Sequence, residues 1–200
     1  MQEDVAGQKA RMRETMKARR DALHDGGGAP AQAAATFAGE VLALAPPQRG
    51  EATEAVVSSY LPIGSEIDPQ PLMRALAEQG AIGALPVIVA KARPLTFRSY
   101  LDGDPLEEKL WGIREPLANQ AVCVPDILVL PMLAFDDQGW RLGYGGGFYD
   151  RTLAGLRAEK AVIAIGLAYD GQRVDAVPYD DYDARLDFVL TPSGLRKLQG

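Results

Sequence analysis

Two unbroken apolar runs constrain this chain more than any other feature of its sequence. Asp126-Ile-Leu-Val-Leu-Pro131 opens a run from Ile127 to Phe135, and Ala161 to Leu167 lies in a second that ends at Tyr169. Both are far short of the ~20 residues of a membrane span, and neither alternates polar with apolar, so they read as strands buried on both faces. Such strands need helices above and below them. Lys9 to Leu23 is dense in helix formers, with Ala10, Met12, Met16 and Leu23 as a thin apolar stripe beside a strongly basic face, which predicts an N-terminal helix at about 8–24. Gly26-Gly27-Gly28 and Pro30 break it. A second helix is expected from about Ala31 to Leu44, where Phe37, Val41 and Leu44 recur at helical spacing before Pro46-Pro47. Ala55 to Tyr60 is β-prone; the loop Leu61 to Glu66 follows, then Asp68-Pro69 as a helix start and Gly80 as its stop. Ala81 to Val89 and Pro94 to Tyr100 read as further strands, and a helical pattern begins after Gly147. Strands alternating with helices predict a single α/β domain over 1–200. Its expected form is an open, mostly parallel, Rossmann-like sheet with helices on both faces and ligands at the carboxyl ends of the strands.

Charge and composition exclude several classes of function. Lysine and arginine number 21 against 27 acidic residues, a net −6, so no global basic field attracts nucleic acid or an anionic membrane, and neither partner is expected. The single Cys123, with apolar neighbours, is expected as a buried small hydrophobe and asks for no oxidising compartment. Glu3, Asp4 and Glu14 are unlike a signal or transit peptide, which by elimination predicts a cytoplasmic protein; a monomer is expected rather than an obligate oligomer. The one histidine, His24, falls at the end of the first helix as a dipole partner, which disfavours a zinc enzyme and a Ser-His-Asp hydrolase.

The chemistry concentrates in Arg141-Leu-Gly-Tyr-Gly-Gly-Gly-Phe-Tyr-Asp-Arg151, where four glycines fall within five positions directly before a helical pattern. Such a loop lets backbone N–H groups and a helix N-terminus cradle phosphate, although glycine clusters also serve as plain turns. It holds no lysine, so charge neutralisation falls to Arg141, the basic N-terminal helix or a metal. Asp150, at the helix start, reads either as a helix-dipole partner or as a Mg²⁺ ligand beside phosphate. Further carboxylates lie in the acidic segment around Asp183. The local pattern puts Glu66 on an exposed loop ahead of a helix.

Taken together, these segments resemble the 5-formyltetrahydrofolate cyclo-ligase family, also called 5,10-methenyltetrahydrofolate synthetase, over about Lys9 to Thr191. The most specific part runs from Pro131-Met-Leu-Ala-Phe-Asp through Arg141-Leu-Gly-Tyr-Gly-Gly-Gly-Phe-Tyr-Asp150. Supporting matches are Lys9-Ala-Arg-Met-Arg13, the Tyr60 to Glu66 loop, Trp111-Gly-Ile-Arg-Glu-Pro116 and Ile165 to Gln172 with Pro178 and Asp183. The resemblance implies ATP and 5-formyltetrahydrofolate as substrates and Mg²⁺ as cofactor. It places ATP on Lys9, Arg13, Arg141, Leu142, Gly143, Tyr144, Gly145, Gly146, Gly147, Phe148 and Tyr149, with Arg141 and Tyr149 in catalytic roles. Leu61, Glu66 and Trp111 would take the folate, and Asp150 and Asp183 the metal.

The implied reaction phosphorylates the formyl oxygen of the folate and closes the ring with loss of phosphate, chemistry that needs positioning and charge stabilisation rather than a nucleophile. Alternatives on related sheets are a sugar-phosphate isomerase, a CoA-transferase-like enzyme, or a non-catalytic nucleotide- or folate-binding module. Three positions depart from the family pattern. Phe148 stands in place of tyrosine, Tyr182 precedes Asp183 where histidine is common, and the glycines at Gly26 replace a polar helix start.

Overall fold

The computed structural model describes residues 4–24, 28–46, 54–109 and 112–199. Its helices are α1 (Val5–Leu23), α2 (Ala29–Ala35), α3 (Ala38–Leu42), α4 (Gln70–Glu78) and α5 (Phe148–Glu159). The strands begin with β1 (Val56–Ser58), β2 (Ile82–Val87), β3 (Thr96–Ser99), β4 (Leu106–Glu108), β5 (Arg114–Pro116) and β6 (Val122–Cys123). They continue with β7 (Ile127–Leu130), β8 (Ala134–Phe135), β9 (Arg141–Leu142), β10 (Ile163–Leu167), β11 (Phe188–Thr191) and β12 (Gly194–Lys197). No helix among the described residues is long and apolar enough to cross a membrane.

The main sheet runs β12-β11-β10-β7-β1-β2-β3-β6. Its five central strands, from β11 to β2, are mutually parallel, while β12, β3 and β6 each run antiparallel to the neighbour on their inner side. The expected α/β sheet is therefore present, with antiparallel strands at its borders. β2 and β3 form one such antiparallel pair instead of a crossover, because the 8 residues between them are too few for the dozen or more that a parallel connection needs.

Both faces of the sheet are covered, as the unbroken apolar runs require. Ile127 and Val129 of β7 and Ile165 of β10 join a core with Ala34, Val41, Leu72 and Leu76 from α2, α3 and α4. The alternate residues Leu128, Leu130 and Ala164 face the opposite way, against Leu153 and Leu156 of α5. This is the period-2 geometry of a strand acting on a run that is apolar at every position.

Three expectations need adjustment. The helix expected over 31–44 is split into α2 and α3, because the Thr36 and Phe37 N–H groups bond three residues back and the Thr36 hydroxyl donates to Ala33 O at 2.7 Å. Tight turns of this kind interrupt an α-helical ladder. Asp68, expected as the next helix's N-cap, lies one residue ahead of it: the N-cap is Pro69, the helix starts at Gln70, and Asp68 Oδ1 accepts the Gln70 N–H at 3.0 Å in a turn. Cys123 is half-buried on the edge strand β6 rather than fully enclosed. Gly26, Gly27, Pro47 and Trp111 lie outside the described residues.

A candidate nucleotide and folate site at the sheet's switch point

Chain direction across the sheet reverses between β1 and β7. From β1 the chain passes through α4 to β2 on one side; from β7 it passes through α5 to β10 on the other. The crevice beyond the carboxyl ends of such a pair is where open α/β sheets collect ligands. The loop after β1 carries Leu61 and Glu66. The segment after β7 leads through the β8–β9 hairpin into the glycine loop. Helix α1 lies across this end, with Met16 packed among Leu133, Ala134, Leu142 and Val177.

Helix α1 meets the site with its basic side, where the sequence pattern pointed to a stripe with Ala10 in it. Of that stripe only Ala10 is exposed; Met12, Met16 and Leu23 are partly or fully buried, and Lys9, Arg13 and Arg20 turn inward with them. Apolar patterning cannot find these cations, because their burial is compensated by polar partners. Lys9 Nζ lies 2.7 Å from Asp180 and 2.5 Å from Asp183. Burial alone would lower its pKa, but the two carboxylates outweigh it and hold Lys9 above its usual range. Arg13 Nε donates to Gly143 O at 2.9 Å.

The glycine loop is shaped for close backbone approach. Gly145 has φ 93° and Gly147 φ 62°, both in the left-handed region, and a Cβ on Gly145 would sit 3.3 Å from the Arg13 guanidinium. Gly147 is the N-cap of α5, and no side chain caps that end, so the first-turn N–H groups stay available to an anion. Tyr144, Gly145 and Gly146 are exposed, whereas Leu142 is buried in the core beside Met16. Phe148 and Tyr149 both pack against the α5 side of the core. Burial, reinforced by the Glu66 charge, pushes the Tyr149 phenol well above its usual range, so at neutral pH it is a hydrogen-bond donor and no base.

Arg141 Nη2 pairs with Asp150 Oδ1 at 2.6 Å, and Arg141 Nη1 donates to Ala184 O. The Ala184 N–H also donates to Asp150 Oδ1, at 3.1 Å. Asp150 and Asp183 are thereby brought to adjoining segments, each beside a cation: Arg141 for the first and Lys9 for the second. Both of these contacts fall on the same Asp150 oxygen, Oδ1, and Ala184, which makes one of them, directly follows Asp183 in the chain.

Glu66 corrects the expectation of an exposed loop, being 5% exposed. Its Oε2 accepts the Ile63 N–H at 2.8 Å, and Oε1 lies 3.5 Å from Arg20 Nη1. Tyr144 of the glycine loop lies close enough to the same carboxylate for the two to shift each other's ionisation. Burial pushes the Glu66 carboxyl up, against the Ile63 N–H, Arg20 and Tyr144, which pull it down; burial prevails. Tyr144 is raised to about 12 by burial and by the Glu66 charge. Leu61 is half-exposed and belongs to neither main core cluster, so it is accessible to a ligand. Sequence reasoning missed Arg20, Ser65 and Asp180; only the spacing of Lys9, Arg13 and Arg20 along α1 could have signalled the first. A separate cavity of about 260 Å³ beside the β4–β5 hairpin is lined by Val87, Ile88, Arg98, Glu107, Lys109 and Glu115, none of them a predicted site residue.

The fold and site define an α/β protein with a glycine loop at an uncapped helix N-terminus and a buried carboxylate, both at the switch point of a mostly parallel sheet. The family model of the 5-formyltetrahydrofolate cyclo-ligase family matches residues 5–192, and the chain belongs to that family. It is 37% identical to the 5-formyltetrahydrofolate cyclo-ligase of Escherichia coli K12 over 142 residues, 68% of this chain and 78% of that one. The Haemophilus influenzae enzyme of the same name is also 37% identical, over 67% of this chain and 74% of its own. Among solved structures, the 5,10-methenyltetrahydrofolate synthetase of Aquifex aeolicus superposes with TM-score 0.68 at 24% identity, covering 96% of this chain and 93% of that one. The Mycoplasma pneumoniae synthetase gives 0.67 at 20%, covering 92% and 98%. These two likenesses establish the fold.

Proposed function

We propose that this protein uses ATP to close 5-formyltetrahydrofolate to 5,10-methenyltetrahydrofolate, releasing ADP and phosphate. The observation that carries the reading is the meeting of two unlike half-sites. One is a loop of backbone donors beside Arg13, Arg141 and the uncapped α5 N-terminus; the other is a buried carboxylate at the folate side.

The formyl group on N5 is amide-like, so its oxygen is a poor leaving group. Transfer of the γ-phosphoryl group of ATP to that oxygen gives an N5-iminophosphate. N10 then attacks the formyl carbon, the carbon–oxygen bond breaks with loss of phosphate, and the N10 proton passes to solvent. Residues 143–147 would hold the phosphates through backbone N–H groups, with Lys9, Arg13 and Arg141 neutralising charge. Tyr149, a neutral phenol, would donate a hydrogen bond. Glu66 would accept from pterin N–H donors, with Leu61 against the ring and Trp111 as its further neighbour.

Mg²⁺ fits the donors present. Asp150 and Asp183 would offer it hard oxygen, with the remaining positions taken by phosphate and water. Bound there, the ion would offset charge on the transferring phosphoryl group. A spectrophotometric assay for methenyl product from 5-formyltetrahydrofolate, with and without MgATP, tests the reading. Product only with MgATP is expected; turnover of another substrate class without ATP, or ligand binding without turnover, would overturn it.

A further inference from the structure

The most fully buried cation among the described residues lies outside every role assigned above. Arg20 is 2% exposed, yet it sits on α1 one turn beyond Met16, at a position where an apolar side chain would join the same buried face. Its guanidinium is spent on the loop after β1: Nε donates to Ser65 Oγ at 3.0 Å, Nη2 to Ile63 O at 3.5 Å, and Nη1 faces Glu66 Oε1 at 3.5 Å. Ser65 in turn donates to Asp21 on the same helix, so two consecutive α1 residues grip one loop. Arg20 Cζ also lies 5.5 Å from the ring centroid of Tyr144, the exposed tyrosine of the glycine loop.

A buried ion pair contributes little net stability compared with well-packed apolar residues, so stability alone does not account for a guanidinium here. Its planar fork explains more. It fixes three acceptors of one short loop in a single arrangement, which an ammonium cannot do. We propose that Arg20 is a positioning residue for the folate half of the site, holding the Glu66 carboxylate in place from behind and bracing Tyr144 beside it. This rests on the reading of Glu66 as the folate-side acceptor.

Steady-state kinetics of Arg20→Gln and Arg20→Lys, with each substrate varied in turn, test the assignment. Arg20→Gln is expected to raise KM for 5-formyltetrahydrofolate about 10-fold or more, the scale of a lost charge-assisted bond, with KM for ATP changed less than about 2-fold. Arg20→Lys, which keeps the charge and loses the fork, should recover part of that loss. The double variant Arg20→Gln/Glu66→Gln should be no worse than Glu66→Gln alone, because one residue acts through the other. Should Arg20→Gln not fold, Ser65→Ala removes only the Nε acceptor and is expected to shift the folate KM in the same direction by less. Equal rises in both KM values, or additive losses in the double variant, would overturn the proposal. Absence of turnover in the unaltered protein would overturn the functional reading, and this assignment with it.

Discussion

At the scale of single residues, two positions set what the site can do. Gly145 combines a left-handed backbone with a guanidinium where a side chain would begin. Gly145→Val therefore imposes about 1–3 kcal/mol of local strain and displaces Arg13 from the loop. Calorimetric titration is expected to show ATP affinity lowered about 10-fold or more in a folded protein; unchanged affinity would remove the loop from nucleotide binding. Glu66 carries the pH dependence. It faces Arg20 from α1, Tyr60 from its own loop, Tyr144 from the glycine loop and Tyr149 from α5, and its folded pKa is raised. The sign for stability follows: its contribution is full below the unfolded pKa and is lost as pH rises through the folded one. Activity has the opposite sign, since the acceptor is the ionised form. kcat/KM for the folate should fall as pH drops through a midpoint above the usual glutamate range, and Glu66→Gln should erase that limb of the pH–rate profile. The glycine loop was legible in the sequence because positive φ selects glycine. The burial of Glu66 was not, since Arg20 and Tyr144, which make it tolerable, are 46 and 78 residues away.

At the scale of elements, legibility followed apolar content. The strands β7 and β10 stood out because every position except the half-buried Ile163 is buried between the two helix layers. Helix α1 was found by its helix formers, and Met12, Met16 and Leu23 of its expected stripe do face inward, but its buried cations were missed, because Lys9, Arg13 and Arg20 read as solvated until Asp180, Asp183, Gly143 and Ser65 are seen to receive them. Helix α5 carries Asp150 and the loop's uncapped end, and Leu153, fully buried, anchors it to the sheet. Leu153→Ala is expected to cost about 2–5 kcal/mol. Urea unfolding should show a lower midpoint at unchanged slope; a midpoint within error of the original protein would mean that α5 is held from elsewhere.

At the scale of the whole molecule, α1, the β1 loop and the glycine loop converge at the switch point, so a ligand bound there is expected to stabilise the fold. MgATP at about 100 times its Kd should stabilise the protein by about 2.7 kcal/mol, which in a chain of this length raises Tm by about 5–10 °C. Asp150→Asn should need more Mg²⁺ for half of that shift and for half-maximal rate. A pure helix-dipole role would instead leave both Mg²⁺ curves superimposed, at a stability loss of about 0.3–1 kcal/mol. The antiparallel borders were the least legible part of the fold, because β6 and β12 are short and carry no strong pattern. Those borders bear on how the molecule behaves in a crowded solution. A sheet that ended on long, flat, apolar strands would invite a second copy to add on by backbone pairing, the first step toward fibrils. Here one outermost strand offers only two residues, Val122 and Cys123, and the other presents exposed Arg196 and Lys197 to any newcomer. One margin is thus closed by brevity and the other by charge, which protects the parallel interior from templated aggregation.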